Sequence, residues 1–386
     1  MKMKSKLLIA AIALAGAAQS QAGILQFNDG HGDDRHHAKK VFVIAMENHN
    51  WTQPGTQTSP QPIFQNPAAP FINSLVNGTS GISDQVAYAN AYINAALGDH
   101  PSEPNYIWAE AGTNFGVHND DNPYHADCTP DTVQTTDQHL SAFLPKAGES
   151  WKSYQEDTDV DATNTVLPVS AWTVPLYSTS GVWKPGVNGY NYSNQYNYAA
   201  KHNPMVYFTD ASGGCDITTS NPMRLQYAPL QQLALDLTNN TVADYNWISP
   251  DQYNDQHTSL TNGYGQYPKG DSAQIAQGDN FLARIVPLIM ASDAYKKDHA
   301  MIVLWWDESE GGDDPSRTLP FMIISREVKE NVGGVPYSNT FQYSHSSFLR
   351  TMQEVLNVDP RHGYPWLGDA ANATDLADLL KPGTIR

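Results

Sequence analysis

Two acidic stretches are notable for what precedes them. Glu47-Asn48 follows the apolar run Val41 to Met46, and Asp307-Glu308 follows the apolar run Ala300 to Trp306. A short continuous apolar run fits a strand buried on both faces of a parallel sheet. In open α/β sheets, ligands bind beyond the carboxyl ends of such strands. If these two ends lie side by side, three carboxylates converge. Their repulsion raises their pKa values unless a cation neutralises them, and a divalent metal ion does so most simply. Either pair alone also fits a solvated loop; the same pattern at two strand ends is what points to a site.

Ser102-Glu103-Pro104 reads as a helix start, with Ser102 as N-cap and Pro104 in the first turn. The same placement sets a hydroxyl among unpaired backbone N–H groups at the positive end of a helix dipole, which suits a phosphate oxyanion. A serine there could attack phosphorus once a bound metal lowers its pKa. The cap and the nucleophile fit the pattern equally. His100 lies two residues ahead of Ser102, His257 sits in Asp255-Gln256-His257, and His345 opens a predicted helix. Together they could surround a phosphate as cationic or metal-binding groups, although each alone fits a surface or capping histidine. GxSxG and HExxH are absent. The Gly263 to Gly270 stretch lacks both the Gly-Lys-Ser/Thr end and the preceding strand of a phosphate loop.

Further strands are predicted over Tyr245 to Ser249, over Leu319 to Ser325, and over Met205 to Phe208, the last running into Thr209-Asp210. Phe281, Ile285, Val286, Ile289 and Met290 share one helical face, as do Phe348, Leu349, Met352, Val355 and Leu356. Strand and helix alternate, so the class is α/β. Two polar stretches rich in turn residues, roughly 53–70 and 157–198, read as long excursions over the active face. No internal repeat is present, and a single domain is expected over residues 23–386.

Lys2, Lys4 and Lys6, then an apolar run from Leu7 to Ala18, then Ser20-Gln21-Ala22 predict a secretory signal peptide cleaved near Ala22, leading to the periplasm or the medium. That run is shorter than the about 20 residues a span needs. No other stretch is long enough without charges, so stable membrane insertion is not expected. The 22 Lys and Arg against 40 Asp and Glu give a net charge of −18, which disfavours nucleic acid as a partner. With 40% hydrophobic and only 16% charged residues the chain has material for a sizeable core. After export, Cys128 and Cys215 are expected to pair. No Cys/His zinc spacing occurs.

These motifs in this order resemble the bacterial and fungal phosphoesterase family of secreted acid phosphatases and phospholipases C, a branch of the alkaline-phosphatase-like superfamily. The matching segments are Val41 to Asn48, His100 to Tyr106, Trp151 to Asp157, Asn254 to His257, Trp305 to Glu308 and Tyr343 to His345. The resemblance implies a three-layer α/β sandwich whose mostly parallel sheet has helices on both faces. It implies Ser102 as nucleophile and Asn105 as the amide that holds the transferred phosphoryl group. Glu47, Asn48, Asp307 and Glu308 would hold a metal ion with Ser102, and His100, Asp255, His257 and His345 would form the rest of the pocket. Metal identity and number stay open, because Glu47-Asn48 replaces the aspartate usual at the first strand. The implied activity is hydrolysis of small phosphate monoesters through a phosphoserine. The short chain favours it over a phospholipase C acting on phosphodiesters. The third reading is a non-catalytic secreted protein that binds phosphate or glycans, for which nine tryptophans and twenty tyrosines offer stacking surface.

Overall fold

The computed structural model describes residues 40–94, 99–330 and 333–385, so the predicted signal peptide lies outside the described residues. The strands are β1 (Val41–Met46), β2 (Val86–Tyr92), β3 (Trp151–Gln155), β4 (Thr179–Val182), β5 (Gln195–Tyr198), β6 (Tyr227–Pro229), β7 (Tyr245–Ser249), β8 (Met301–Trp306), β9 (Phe321–Ile324) and β10 (Tyr337–Tyr343). The helices are α1 (Pro70–Val76), α2 (Ser102–Ala111), α3 (Leu140–Ala147), α4 (Thr209–Ser212), α5 (Gln232–Asn239), α6 (Asp271–Ala291), α7 (Asp293–Lys297) and α8 (His345–Val355).

Eight strands make one sheet in the order β10-β2-β9-β8-β1-β7-β3-β6. All run parallel except β9, which is antiparallel to both β2 and β8. The α/β class with a mostly parallel sheet is therefore as expected. Every residue of β1 and of β8 is buried, which is why their apolar runs are continuous: the pleat puts alternate side chains on opposite faces, and both faces are covered. The edges read differently. β10 carries Ser, Asn, Thr and Gln and is only partly buried, and β6 ends in Pro229, so both edges resist further pairing.

The two predicted helices occur. Phe281, Ile285, Val286 and Ile289 of α6 and Phe348, Leu349, Met352 and Val355 of α8 are buried. Ser344 caps α8 in a reciprocal box with Ser347. Gly278 lets α6 approach the end of β1. A Cβ there would lie 2.3 Å from Gln256 Cγ and 2.7 Å from Met46 Cε.

Met205 to Phe208 corrects an expectation. The run is a 3₁₀ turn, Pro204–Tyr207, followed by α4. Its side chains are fully buried, which satisfies an apolar run as well as a strand would, while Pro204 favours the first turn of a helix. The 157–198 excursion contains the β4–β5 hairpin, a separate two-stranded sheet. Cys128 and Cys215 form a disulfide across 87 residues.

A buried polar knot fixes the far end of α2. His139 Nε2 meets Asp210 at 2.8 Å and its Nδ1 meets Ser141 Oγ at 3.0 Å, with Glu110 of α2 3.6 Å away and Phe208 stacked on the ring. Burial works against the charged imidazole, but Asp210 and Glu110 outweigh it and raise the pKa. A histidine pKa raised on folding gives stability that is complete below the unfolded value of about 6.5 and is lost as pH rises through the folded value. The melting temperature should therefore fall between neutral and alkaline pH. His139→Phe should lose about 3 kcal/mol at acid pH by stranding Glu110, and its melting curve should lack that alkaline decline. A decline shared equally by both proteins would remove His139 as its source.

Candidate active site

Met46 of β1 pairs with Trp306 of β8, so Glu47 and Asp307 leave the sheet side by side. The Glu47 N–H donates to the Asp255 carbonyl at 2.8 Å, which draws in the loop after β7. Asn48 adopts a left-handed backbone with φ 46°, a conformation asparagine tolerates, and its N–H donates to Asp307 Oδ1 at 3.3 Å.

Ser102 is the first residue of α2. It is not the N-cap: that position is Pro101, and no side chain caps the helix. The hydroxyl turns instead to the strand ends, with Oγ 3.0 Å from Glu47 Oε2 and 3.2 Å from Glu308 Oε1. One hydroxyl proton thus faces two carboxylates. Tyr106, one turn along α2, donates to the other Glu47 oxygen. Serine hydroxyl, two strand ends and helix N-terminus meet in one place.

Electrostatics explain what the cluster lacks. Glu47, Asp255 and Asp307 are fully buried, and burial first, then neighbouring carboxylates, pushes each pKa well up. Asn48 Oδ1, Asp255 Oδ2, Asp307 Oδ2 and both nitrogens of His202 are buried without a hydrogen-bond partner. His202 lies 3.2 Å from Glu47 and 3.0 Å from Asp255, but off the line of a hydrogen bond. One ligand atom each from Glu47, His202 and Asp255 lies within 4.8 Å of the others. Inward-facing carboxylate, amide and imidazole lone pairs fit a divalent cation, which would satisfy them and neutralise the charge.

The predicted residues do not all play one part. His100 places Nδ1 against Glu308 and Nε2 2.7 Å from Asp313. The Glu308 contact, together with Asp313, raises its pKa to about 9 although burial opposes it, so the ring is cationic at neutral pH. His257 Nε2 accepts from Lys201 Nζ at 3.3 Å, and burial followed by the Lys201 charge lowers its pKa to about 4. His345 lies behind the site. Trp305 Nε1, which can only donate, meets its Nδ1 at 3.0 Å, and its Nε2 meets the Asp307 carbonyl. The ring is therefore neutral with its proton on Nε2, and burial holds its pKa near 3. The structure makes it a clamp on the Asp307 backbone, with no ring nitrogen facing Ser102. Asn105 Nδ2 donates to the carbonyls of Asp99 and Pro101 at 2.9 and 3.3 Å, holding the turn that delivers Ser102.

Two residues escaped the sequence reading. Lys201 and His202 sit in a short helical turn, Ala200–His202, that follows the short hairpin strand β5, outside the main sheet, and carries no motif. Lys201 is, with His100, a cation beside this acidic cluster. Burial opposes its charge, but Glu47 and Asp120 outweigh it, and its Nζ lies 2.7 Å from Asp120. Only the fold brings the pair to the ends of β1 and β8.

The family model described as Phosphoesterase family matches residues 17–359. The chain belongs to that family. It is 28% identical over 275 residues to an acid phosphatase of Aspergillus fumigatus, covering 70% of this chain and 47% of that protein. It is 26% identical over 318 residues to the phosphatidylinositol-3-phosphatase of Mycobacterium tuberculosis, covering 82% and 77%. A phosphate-repressible acid phosphatase of Penicillium chrysogenum matches at 25% identity, with 70% and 51% covered. This phosphoesterase thus spans about half the length of the fungal relatives it matches. A solved alkaline phosphatase superfamily protein from Vibrio parahaemolyticus overlaps 89% of this chain and 72% of its own, at 10% identity and TM-score 0.43. No helix among the described residues is long and apolar enough to cross a membrane.

Proposed function

We propose that this phosphoesterase is a secreted or periplasmic, metal-dependent hydrolase of small phosphate monoesters, with Ser102 as nucleophile. The observation that carries the proposal is the Ser102 hydroxyl at the N-terminus of α2, within 3.2 Å of carboxylates from both strand ends. The names of the relatives, acid phosphatase and phosphatidylinositol-3-phosphatase, support a phosphatase.

In the proposed reaction Ser102 Oγ attacks phosphorus in line and passes its proton to Glu47 Oε2 or Glu308 Oε1. The Oγ–P bond forms as the ester P–O bond breaks, and the departing alkoxide takes a proton from the cationic His100. Water then cleaves the phosphoserine and releases phosphate. The positive end of the α2 dipole, where the Glu103 N–H donates to Asp120 Oδ1, and the Lys201 ammonium face the charge on the phosphoryl oxygens. A divalent cation held by Glu47, Asn48, Asp307 and Glu308 beside Ser102 would lower the hydroxyl pKa and offset the negative charge gathered there.

Hydrolysis of a soluble monoester, a phosphoinositide, a soluble diester and phosphatidylcholine, each with and without chelator, tests the proposal. Monoester turnover abolished by chelator is expected. Faster diester cleavage would replace it with the phospholipase C reading, and tight phosphate binding without turnover with the binding-protein reading. Lys201→Met should raise both KM and the inhibition constant for inorganic phosphate about tenfold, the loss of one charge-assisted contact. An unchanged phosphate inhibition constant would take Lys201 out of the site.

A further inference from the structure

The acids of β1 and β8 have a counterpart on the next two strands. Gln155 of β3 pairs with Ser249 of β7; β3 then runs into Glu156-Asp157, and β7 runs through Pro250 into Asp251. All three carboxylates are buried, and one oxygen of each lies within 4.8 Å of the others. Glu156 is fully engaged, accepting from Asn188 Nδ2 at 2.6 Å, from the Asp251 N–H at 2.9 Å and from Asn254 Nδ2 at 2.9 and 3.0 Å. The other two are not. Asp157 Oδ2 accepts from the Asn197 N–H, and Asp251 Oδ1 accepts from the N–H groups of Tyr253 and Asn254. Asp157 Oδ1 and Asp251 Oδ2 have no hydrogen-bond partner, although Asp157 is 6% and Asp251 0% exposed.

Among the described residues, no lysine, arginine or histidine forms an ion pair with any of the three. Burial raises the pKa of all three; acidic neighbours add to this for Glu156 and Asp251, while for Asp157 the Asp251 carboxyl and the Asn197 N–H offset part of it. Anionic oxygens in a dry interior are costly unless a cation lies between them or a proton neutralises them, and three converging carboxylates with two unpartnered oxygens suit the cation. We propose that Glu156, Asp157 and Asp251 hold a calcium ion in a site separate from the one containing Ser102. The donors are all oxygens, which suits a hard cation, whereas the Ser102 cluster includes the imidazole of His202. The site joins three segments: the end of β3, the return of the excursion at Asn188 and Asn197, and the loop that begins at Asp251. That loop carries Asp255 and His257, and the Asp255 N–H donates to the Asp251 carbonyl at 2.9 Å. Calcium would therefore stiffen the approach to Ser102 from outside it.

The test uses the full chain stripped with EGTA and titrated with calcium chloride in physiological salt. Bound calcium is counted by mass spectrometry after desalting, and melting is followed by calorimetry. One calcium per chain and a melting temperature raised by several degrees are expected, both retained in Asp307→Asn. Asp157→Asn keeps a side-chain acceptor for the Asn197 N–H; it should melt no lower than wild type in EGTA and bind no calcium. Should that variant not fold, sensitised terbium emission from Asp307→Asn, displaced by calcium, carries the same decision. No calcium uptake, equal uptake by Asp157→Asn, or uptake lost in Asp307→Asn would each overturn the proposal. Absent uptake with a stabilised Asp157→Asn would identify a shared proton in place of the ion. None of these readouts requires turnover, so the result stands apart from the assignment of Ser102.

Discussion

Ser102→Ala should lower kcat/KM by at least about 10³-fold, as removal of a covalent nucleophile does, and leave the melting temperature nearly unchanged. The size of the first effect follows from position. Ser102 is the hydroxyl that touches carboxylates from both strand ends, and no other serine or threonine hydroxyl donates to Glu47 or Glu308 among the described residues. The smallness of the second follows from what the hydroxyl does in the fold: it does not cap α2, so its loss leaves the helix end as it was. Circular dichroism melts and monoester turnover, measured on the same preparations, check both halves. Turnover within tenfold of wild type would leave the phosphoserine route without a nucleophile.

Asp307→Asn should be as severe for activity, and for a different reason. Its Oδ1 holds the Asn48 N–H, while its Oδ2 is buried without a partner. Removing the charge weakens the cation site by one ligand and should cost activity about 10³-fold or more. Stability should move the other way. In metal-free protein the buried carboxylates of Glu47, Asp255 and Asp307 raise one another's pKa on top of burial. A neutral isostere at 307 should therefore stabilise the stripped protein by about 1–3 kcal/mol. With calcium held saturating throughout, adding a divalent transition-metal ion should raise the melting temperature of wild type and leave that of the variant where it was. Calorimetry in calcium buffer with and without that second ion measures this. A variant that is inactive but gains the full metal-dependent shift would show that Asp307 serves the chemistry without holding the ion.

Much of this architecture could be seen in the chain before any coordinates. Val41 to Met46 and Ala300 to Trp306 are apolar at every position, as a strand covered on both faces is, and each runs into acids at the edge where α/β sheets bind ligands. What the runs could not show is that they are neighbours, because register and strand order depend on packing far along the sequence. The same apolar signal misled at Met205 to Phe208, where burial under helices produced the run without a strand. Ser102 was placed at the correct helix end for a partly wrong reason: the serine-proline pattern suggests a cap, while the hydroxyl is drawn instead to Glu47 and Glu308. His345 shows the limit of reading single residues. A histidine before a helix can be ligand, acid or cap, and only Trp305 and the Asp307 carbonyl fix it as a neutral clamp. Lys201 and His202 left no mark, since a short turn after a polar excursion has no period to reveal which way its side chains point.

The most direct test is to stop a reaction with a soluble phosphate monoester in acid during turnover and map any phosphate bound to the chain by peptide mass spectrometry. A phosphorylated peptide containing Ser102, formed at least as fast as phosphate is released and absent from chelated protein, is the predicted result. Steady turnover with no phosphate on Ser102, and phosphate released directly to solvent in one step, would contradict it.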